Sequence, residues 1–170
     1  MAETTFKLRV WTRYFTSVEE VWAHKTTLAH LLAELPYWAR PALSAKDSDT
    51  LREAILHSRP AEVSARVGLL PLSWPIRLIH SSPPLLFEAH SENQLFSRFE
   101  HRHQLEAAPD GCRYIDQVTF TPRGPSAKLS ALSLKWMFER SHRVAARHLP
   151  ADQRTIGTAV LRVLIEEDDD

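Results

Sequence analysis

Two histidines and an aspartate in the second half of the chain are the residues best suited to chemistry. His101 and His103 are two positions apart in an alternating stretch, so on a strand both side chains point to the apolar face that Phe99 occupies. On the next predicted strand, Tyr114 and Asp116 share a face that also points inward. Where these two faces coincide, a hairpin brings Asp116 opposite one of the histidines, with Cβ atoms about 4.5–5.5 Å apart. The pattern therefore predicts a buried His–Asp pair.

Such a pair is compatible with several roles, which the sequence leaves open. A buried aspartate has to pair or lose its charge, and a neighbouring imidazole is a suitable partner, so the pair can be purely structural. It can instead contact a ligand, or act as a carboxylate-oriented general base towards a bound carbonyl compound, which makes His101, His103 and Asp116 the candidate catalytic residues. Two imidazoles and a carboxylate also suffice to hold zinc. Because no cysteine or glutamate cluster accompanies them, we expect no metal and no cofactor.

Other motifs carry less chemistry. The chain has four scattered glycines, which excludes a glycine-rich phosphate loop, and it has no Gly-x-Ser-x-Gly nucleophile elbow. Its single cysteine, Cys112, cannot form an intramolecular disulfide. We expect His24, His30 and His57, on predicted helices, to be ordinary surface or half-buried histidines.

Composition and charge restrict the partners. The 170 residues include 21 lysines and arginines and 21 aspartates and glutamates, so no overall field attracts nucleic acid or an anionic membrane. No apolar run approaches the roughly 18 residues that span a bilayer, and Lys7 and Arg9 interrupt the N-terminal segment where a secretory signal would need an apolar core. With a single cysteine, these features predict a cytoplasmic protein without integral membrane association. The oligomeric state is not indicated.

The hydrophobic pattern predicts the elements that position the candidate residues. An alternating strand covers Phe6–Tyr14, and Ser17 opens helices that Pro36 ends. A short surface helix is predicted from Thr50 by a second capping-box spacing, within the least defined stretch, 39–60. Five strands are predicted next: Glu62–Leu70, Trp74–His80, Leu86–Asn93, Phe96–Leu105 and Arg113–Pro122.

A long helix is predicted after Pro125, with Pro150 as its end. Its apolar face consists of Leu134, Met137, Phe138, Ser141, Ala145 and Leu149. Leu161–Ile165 fits either a short strand or a helical turn. Strands this close together have to be antiparallel, and the helix can bury one face of their sheet. Strong curvature of that sheet would leave a cavity beneath the helix.

Several of these segments resemble the SRPBCC superfamily of ligand-binding proteins, also called START-like or Bet v 1-like. The runs FEHRHQL, PDG and DQVTF resemble its W-x-H-x-H-x-F, G-G and D-x-V-x-Y motifs; they occupy Phe99–Leu105, Pro109–Gly111 and Asp116–Phe120. LSWPI from Leu72, PPLLF from Pro83 and MFER from Met137 resemble its strand-entry tryptophan, its P-P-x-x-F step and its closing helix.

The resemblance covers about Phe6 to Leu149. It implies an α+β helix-grip fold, in which a curved antiparallel sheet wraps around a long C-terminal helix and two short helices follow the first strand. One START-like domain would then span residues 1–170, with 150–170 as an extension that ends in the acidic run Glu166–Asp170.

The function that the resemblance and the inward-facing polar residues imply is binding of an apolar or amphipathic small molecule, such as a lipid, in the cavity between sheet and helix. The expected ligand-binding residues are His101, His103, Tyr114, Asp116, Phe99, Trp74, Met137 and Phe138. One alternative is a polyketide cyclase or dehydratase that acts on a polyketide-like or aromatic substrate through the His–Asp pair. A second alternative is a protein-interaction module that docks a partner through the helix or through exposed Trp11 and Trp22.

Overall fold

The computed structural model describes residues 4–67, 72–124, 127–152 and 156–164. Within these residues the chain forms eight strands, which are β1 Thr4–Tyr14, β2 Pro41–Ala42, β3 Ala61–Val67, β4 Leu72–Ser82, β5 Leu86–Ser91, β6 Phe96–Ala108, β7 Gly111–Pro122 and β8 Gly157–Leu164. The helices are α1 Val18–Thr26, α2 Leu28–Glu34, α3 Ala45–Leu56 and α4 Ala127–His148.

The strands form one antiparallel sheet in the order β2-β3-β4-β5-β6-β7-β1-β8. Neighbours along β3 to β7 are joined directly, as short connections require, whereas α3 lies between β2 and β3, and β1 pairs with β7. The β6–β7 turn depends on Gly111, which has a φ of +143°. A Cβ atom there would lie 2.1 Å from the carbonyl oxygen of Tyr14, so only glycine fits.

Helix α4 covers the inner face of the sheet with the apolar side that the sequence predicts. On that side of α4, Leu134, Phe138 and Ala145 are buried. Two apolar clusters form the core. The first contains Phe6, Leu8, Val10, Phe96, Phe99, Val118, Phe120, Ala131, Leu134 and Phe138. The second contains Tyr14, Val21, Trp22, Ala54, Ile55, Leu78, Leu105, Cys112, Tyr114, Ala145 and Leu149.

The helix starts show one confirmed and one wrong prediction. Ser17 caps α1 by accepting a hydrogen bond from the backbone N–H of Glu20, as its spacing predicts. The short helix predicted from Thr50 is present, but its predicted start is wrong, because α3 begins at Ala45 and is capped by Ser44, which accepts from the N–H of Asp47. Thr50 lies inside that helix and donates its hydroxyl proton to a backbone carbonyl one turn back.

The C-terminal segment is a strand. β8 pairs with β1 at the sheet edge, so the strand alternative holds for the predicted segment as far as Leu164. Ile165, the acidic run 166–170 and positions 68–70 of the predicted third strand lie outside the described residues. Gly157 pairs with Trp11, and a Cβ atom on Gly157 would lie 1.9 Å from the Trp11 ring. The ring therefore covers the backbone of β8.

This packing removes Trp11 and Trp22 from the protein-interaction alternative and leaves it with the helix, whose outer face exposes Leu129, Leu132 and Trp136. Trp11 is half-buried against Gly157, and Trp22 is buried in the second apolar cluster. The expectation that both are exposed is wrong, because β8 covers one ring and the edge of Phe87 packs against the other.

No helix within the described ranges is long and apolar enough to cross a membrane.

Candidate functional site

A belt of buried polar side chains crosses the inner face of the sheet and separates the two apolar clusters. It takes one residue from each of four neighbouring elements: Thr12 from β1, Asp116 from β7, His103 from β6 and His142 from α4. In every one of these elements, the residues on one side of the polar position belong to the first cluster and those on the other side to the second. We call these four residues, with His101 and Tyr114, the polar belt.

Asp116 is the centre of the polar belt, with four side chains bonded to its carboxylate. Its Oδ1 atom lies 3.0 Å from Nε2 of His101, 2.8 Å from Nδ1 of His103 and 2.8 Å from the Tyr114 hydroxyl, which donates to it. Its Oδ2 atom lies 3.0 Å from Nε2 of His142. The register places Asp116 directly opposite His103, and His101 two residues away reaches the same oxygen. The predicted His–Asp pair is therefore part of a larger network.

The network fixes the charge of Asp116 and its neighbours. Burial raises the pKa of Asp116, but the interaction with His103 and the hydrogen bonds from the histidines outweigh it and hold that pKa well below its usual range. Burial, followed by the neighbouring His101, lowers the pKa of His103 to about 4. Burial also lowers the pKa of His142 and raises that of Tyr114. At neutral pH the ionised carboxylate of Asp116 thus lies beside neutral His103, His142 and Tyr114.

His142 is a member of the belt that the sequence reasoning missed. It is fully buried, and its Nδ1 atom lies 2.7 Å from the Thr12 hydroxyl. Because Asp116 accepts from Nε2, Nδ1 is the unprotonated nitrogen and accepts from Thr12. A signal was present, since His142 follows Phe138 by four residues and so lies on the apolar face of α4.

His101 is the belt residue that reaches solvent. Its side chain is 19% exposed, compared with 3% for Asp116. Its ring packs against the edge of Phe138, with centroids 4.9 Å apart. Its Nε2 atom donates to Asp116, which leaves Nδ1 with an available lone pair and, among the described residues, no hydrogen-bond partner.

The other predicted ligand-binding residues divide into two groups. His103, Tyr114, Asp116, Phe99 and Phe138 are buried, and His103 also stacks on Phe87. Trp74 and Met137 are half-buried at the margin of the first apolar cluster.

Trp136, the residue before Met137 on α4, faces outward. It is 47% exposed and stacks on Trp38, because it lies on the side of α4 opposite the apolar face.

A second buried polar group lies between α1, α2 and α4. Glu34 accepts from Lys25 at 2.7 Å and from Ser141 at 2.6 Å, and it lies 3.1 Å from Nε2 of His24. Burial raises the pKa of Glu34, but Lys25, His24 and Ser141 together lower it. The expectation that His24 is an ordinary surface or half-buried residue is wrong, because this carboxylate holds it in the interior.

The clearest surface depressions lie away from the polar belt. One of about 360 Å³ is at the β3–β4 edge near Pro60 and Leu78. Another of about 810 Å³ runs along the outer face of the sheet, where its arginines pair with glutamates, as Arg98 does with Glu100. Neither depression lies between the sheet and α4, so neither is the predicted cavity.

A family model described as "Domain of unknown function (DUF8410)" matches residues 13–149. The chain belongs to this family. The matched segment contains His101, His103, Asp116 and His142, and excludes Thr12 and β8. No curated protein matches the sequence.

Solved structures of low sequence identity share the fold. The di-domain ARO/CYC StfQ from the steffimycin biosynthetic pathway aligns with a TM-score of 0.60 at 10% identity, over 83% of this chain and 49% of its own. The AHSA1 protein from Silicibacter pomeroyi aligns at 0.55 and 17% identity, over 84% and 96%. A conserved protein from Geobacillus kaustophilus aligns at 0.56 and 11% identity, over 91% and 98%.

These likenesses and the strand order confirm the fold that the sequence resemblance implied. The chain has the α+β helix-grip fold of SRPBCC proteins, with an antiparallel sheet against a long C-terminal helix and two short helices after the first strand. At identities this low, the comparison establishes the fold alone.

Proposed function

We propose that the protein binds an apolar or amphipathic small molecule in a cleft between α4 and the inner faces of β4 and β5. The observation that carries the proposal is uneven burial of the inner face. On β1 and β7 this face is fully buried, whereas on β4 and β5 the inward residues Trp74, Ile76, Ala89 and Ser91 are only half-buried. Helix α4 thus leaves an apolar strip partly uncovered.

The polar belt supplies a recognition group at the margin of this strip. His101 pairs with Ala89 in the register of β5 and β6, so its ring adjoins the uncovered residues. Its unpaired Nδ1 atom accepts a hydrogen bond, so we expect the ligand to carry a hydroxyl or another donor at one end of an apolar body. An apolar surface with one or two placed polar groups is the usual composition of a ligand site. The buried histidines and Tyr114 act by holding His101 and Asp116 in place.

The proposal is tested by blocking the strip. Native mass spectrometry of the purified full chain is expected to show a retained small molecule, which organic extraction then releases. The stripped protein is expected to bind anilinonaphthalene sulfonate, an apolar probe with a polar end. Met137→Trp enlarges a half-buried side chain at the strip and should abolish probe binding.

Leu132→Trp is the matched control, because it places the same ring on the outer face of α4, where Leu132 is 64% exposed. Equal probe binding by Met137→Trp and Leu132→Trp, or no retained molecule and no probe binding in the wild type, contradicts the proposal.

A second candidate function is acid–base catalysis in the same cleft. It is favoured by the Asp116–His101 pair, in which a carboxylate orients a ring whose other nitrogen is unpaired and partly exposed. StfQ, which shares the fold, is an ARO/CYC of a biosynthetic pathway, and a cyclase or dehydratase reaction on an aromatic or polyketide-like substrate uses such a base. His101→Gln should then abolish turnover of the extracted compound while the circular dichroism spectrum stays unchanged. Unchanged turnover in His101→Gln excludes His101 as the base.

A further inference from the structure

Three metal-binding atoms converge at one point of the polar belt. Nε2 of His101 and Nδ1 of His103 lie 3.0 and 2.8 Å from Oδ1 of Asp116, and all three ligand atoms lie within 4.8 Å of one another. The two imidazole rings are close neighbours, with centroids 3.8 Å apart. Each ring therefore directs a nitrogen atom to the same carboxylate oxygen.

The hydrogen bonds at this oxygen are crowded. A carboxylate oxygen offers two lone pairs, yet Oδ1 of Asp116 has three partners at 3.0 Å or less, because Tyr114 donates to it as well. Nδ1 of His103 also contacts the Tyr114 hydroxyl. One ion in place of these two imidazole protons, which would move to Nδ1 of His101 and Nε2 of His103, would relieve this crowding.

No cationic side chain compensates the charge of Asp116. Among the described residues, its partners are three imidazoles and a phenol, and neither lysine nor arginine forms an ion pair with it. The nearby ammonium of Lys25 lies over the Tyr114 ring, but its ion pair is with Glu34. A divalent cation would add a direct charge interaction with this buried carboxylate that its hydrogen bonds do not supply.

We propose that His101, His103 and Asp116 bind one divalent transition-metal ion, with zinc as the reference ion. Imidazole nitrogen and carboxylate oxygen are both ligands of zinc, and three protein ligands with one open position are typical of catalytic sites. Zinc bonds of about 2.0–2.1 Å in tetrahedral geometry separate ligand atoms by about 3.3 Å. Each of the two nitrogens therefore needs to move only a few tenths of an ångström away from Oδ1 of Asp116, and the two nitrogens, which lie within 4.8 Å of each other, need to reach the same separation.

Other belt residues support the ligands. His142 donates to the second oxygen of Asp116, and Thr12 donates to His142, so a chain of two hydrogen bonds holds the carboxylate in orientation. The open coordination position would face the strip beside His101, the exposed member of the set. The sequence alone disfavoured a metal, because no cysteine or glutamate accompanies the histidines. The site does not depend on the proposed function, since an ion can bind whether or not a small molecule does.

The experiment is a metal titration of the full chain after treatment with a chelator and its removal. Calorimetry measures zinc binding, and visible ligand-field absorption reports the coordination of cobalt. We expect one ion per chain in the wild type, and loss of saturable binding in His101→Gln and His103→Gln. His142→Gln should weaken binding about 10–100-fold, as changes at outer residues do. His80→Gln, an exposed histidine on β4, should bind as the wild type does.

Two results would overturn the site. One is a wild type without saturable binding of either ion. The other is equal affinity in wild type and His101→Gln, which places the ion elsewhere, for instance on the acidic run 166–170. Should His103→Gln fail to fold, His101→Gln decides, because that side chain is partly exposed. The readout is independent of small-molecule binding, so the site and the proposed function can fail separately.

Discussion

Mild acid is expected to destabilise the protein before its carboxylates titrate, because His103 is buried in its neutral form. Burial and the neighbouring His101 lower the pKa of His103 to about 4, although Asp116 acts in the opposite direction. An unfolded histidine titrates near pH 6.5. Between these two values the unfolded state binds a proton that the folded state does not. Stability should therefore be complete above about pH 6.5 and fall progressively towards pH 4.

The magnitude follows from the two pKa values. A difference of about 2.5 units at about 1.4 kcal/mol per unit gives a loss of about 3 kcal/mol from His103. The pKa of His142 is lowered as well, which adds to the loss in the same direction. Asp116 contributes in a different range. Its lowered pKa gives stability that is present above the unfolded value of about 4 and is lost only in stronger acid.

The assay is urea unfolding at several pH values between about 7.5 and 4.5, with a chelator present, followed by circular dichroism. His103→Gln removes the titrating group and should show a much shallower dependence of the unfolding free energy on pH. His80→Gln, at an exposed position, should keep the wild-type slope. A wild-type stability that changes by less than about 1 kcal/mol over this range, or an unchanged slope in His103→Gln, would refute the assignment of a neutral buried histidine.

Three further predictions concern the buried polar groups. Asp116→Leu leaves the donors of His101, His142 and Tyr114 without an acceptor and should lower the unfolding free energy by about 3–5 kcal/mol. If urea unfolding shows a decrease below about 1 kcal/mol, the network does not stabilise the fold. Glu34→Gln leaves the Lys25 ammonium buried without its counter-charge and should lower the unfolding free energy by a similar amount, about 3–5 kcal/mol. The double variant with Glu34→Leu and Lys25→Met should recover much of this stability. A double variant as unstable as the single one would contradict the ion-pair explanation. Burial, followed by the charge of Glu19, raises the pKa of the buried Cys112 thiol to about 11. A thiol reagent should therefore label Cys112 in the native protein far more slowly than in the urea-unfolded chain. Equal labelling rates would mean that the thiol is accessible in the folded protein.

Much of the fold could be predicted because the inner face is periodic. In strands with one buried and one exposed face, apolar residues recur at every second position, and in α4 they recur at helical spacing. The strands, the helix and their order along the chain therefore follow from the hydrophobic pattern of the sequence. The same periodicity aligned His101 and His103 on one face and brought Asp116 opposite them. Trp11 breaks the alternation for a reason that local pattern does not contain, since its partner Gly157 lies on a strand 146 positions away along the chain.

The remainder of the site depends on long-range packing. His142 and Thr12 meet only because α4 crosses β1, and Glu34 is buried only because α2 packs against α4. Glu34 looks like an ordinary surface residue in its own segment, and the apolar-face positions of Thr12 and His142 do not show that the two side chains meet. Helix α3 shows the same limit at short range, because Ser44 and Thr50 both have capping-box spacing and the sequence does not decide between them.

The most direct test of the site is a long-range ¹H–¹⁵N spectrum of the histidine side chains in the metal-free protein near neutral pH. The structure predicts neutral His103 and His142 rings beside an ionised Asp116, with the proton on Nδ1 of His103 and on Nε2 of His142, and an Nε2–H of His101 that donates to the same carboxylate. Addition of the extracted ligand should shift Nδ1 of His101 and leave the two nitrogens of His142 unchanged. Doubly protonated rings at His103 and His142, or a ligand that shifts neither nitrogen of His101, would contradict the account.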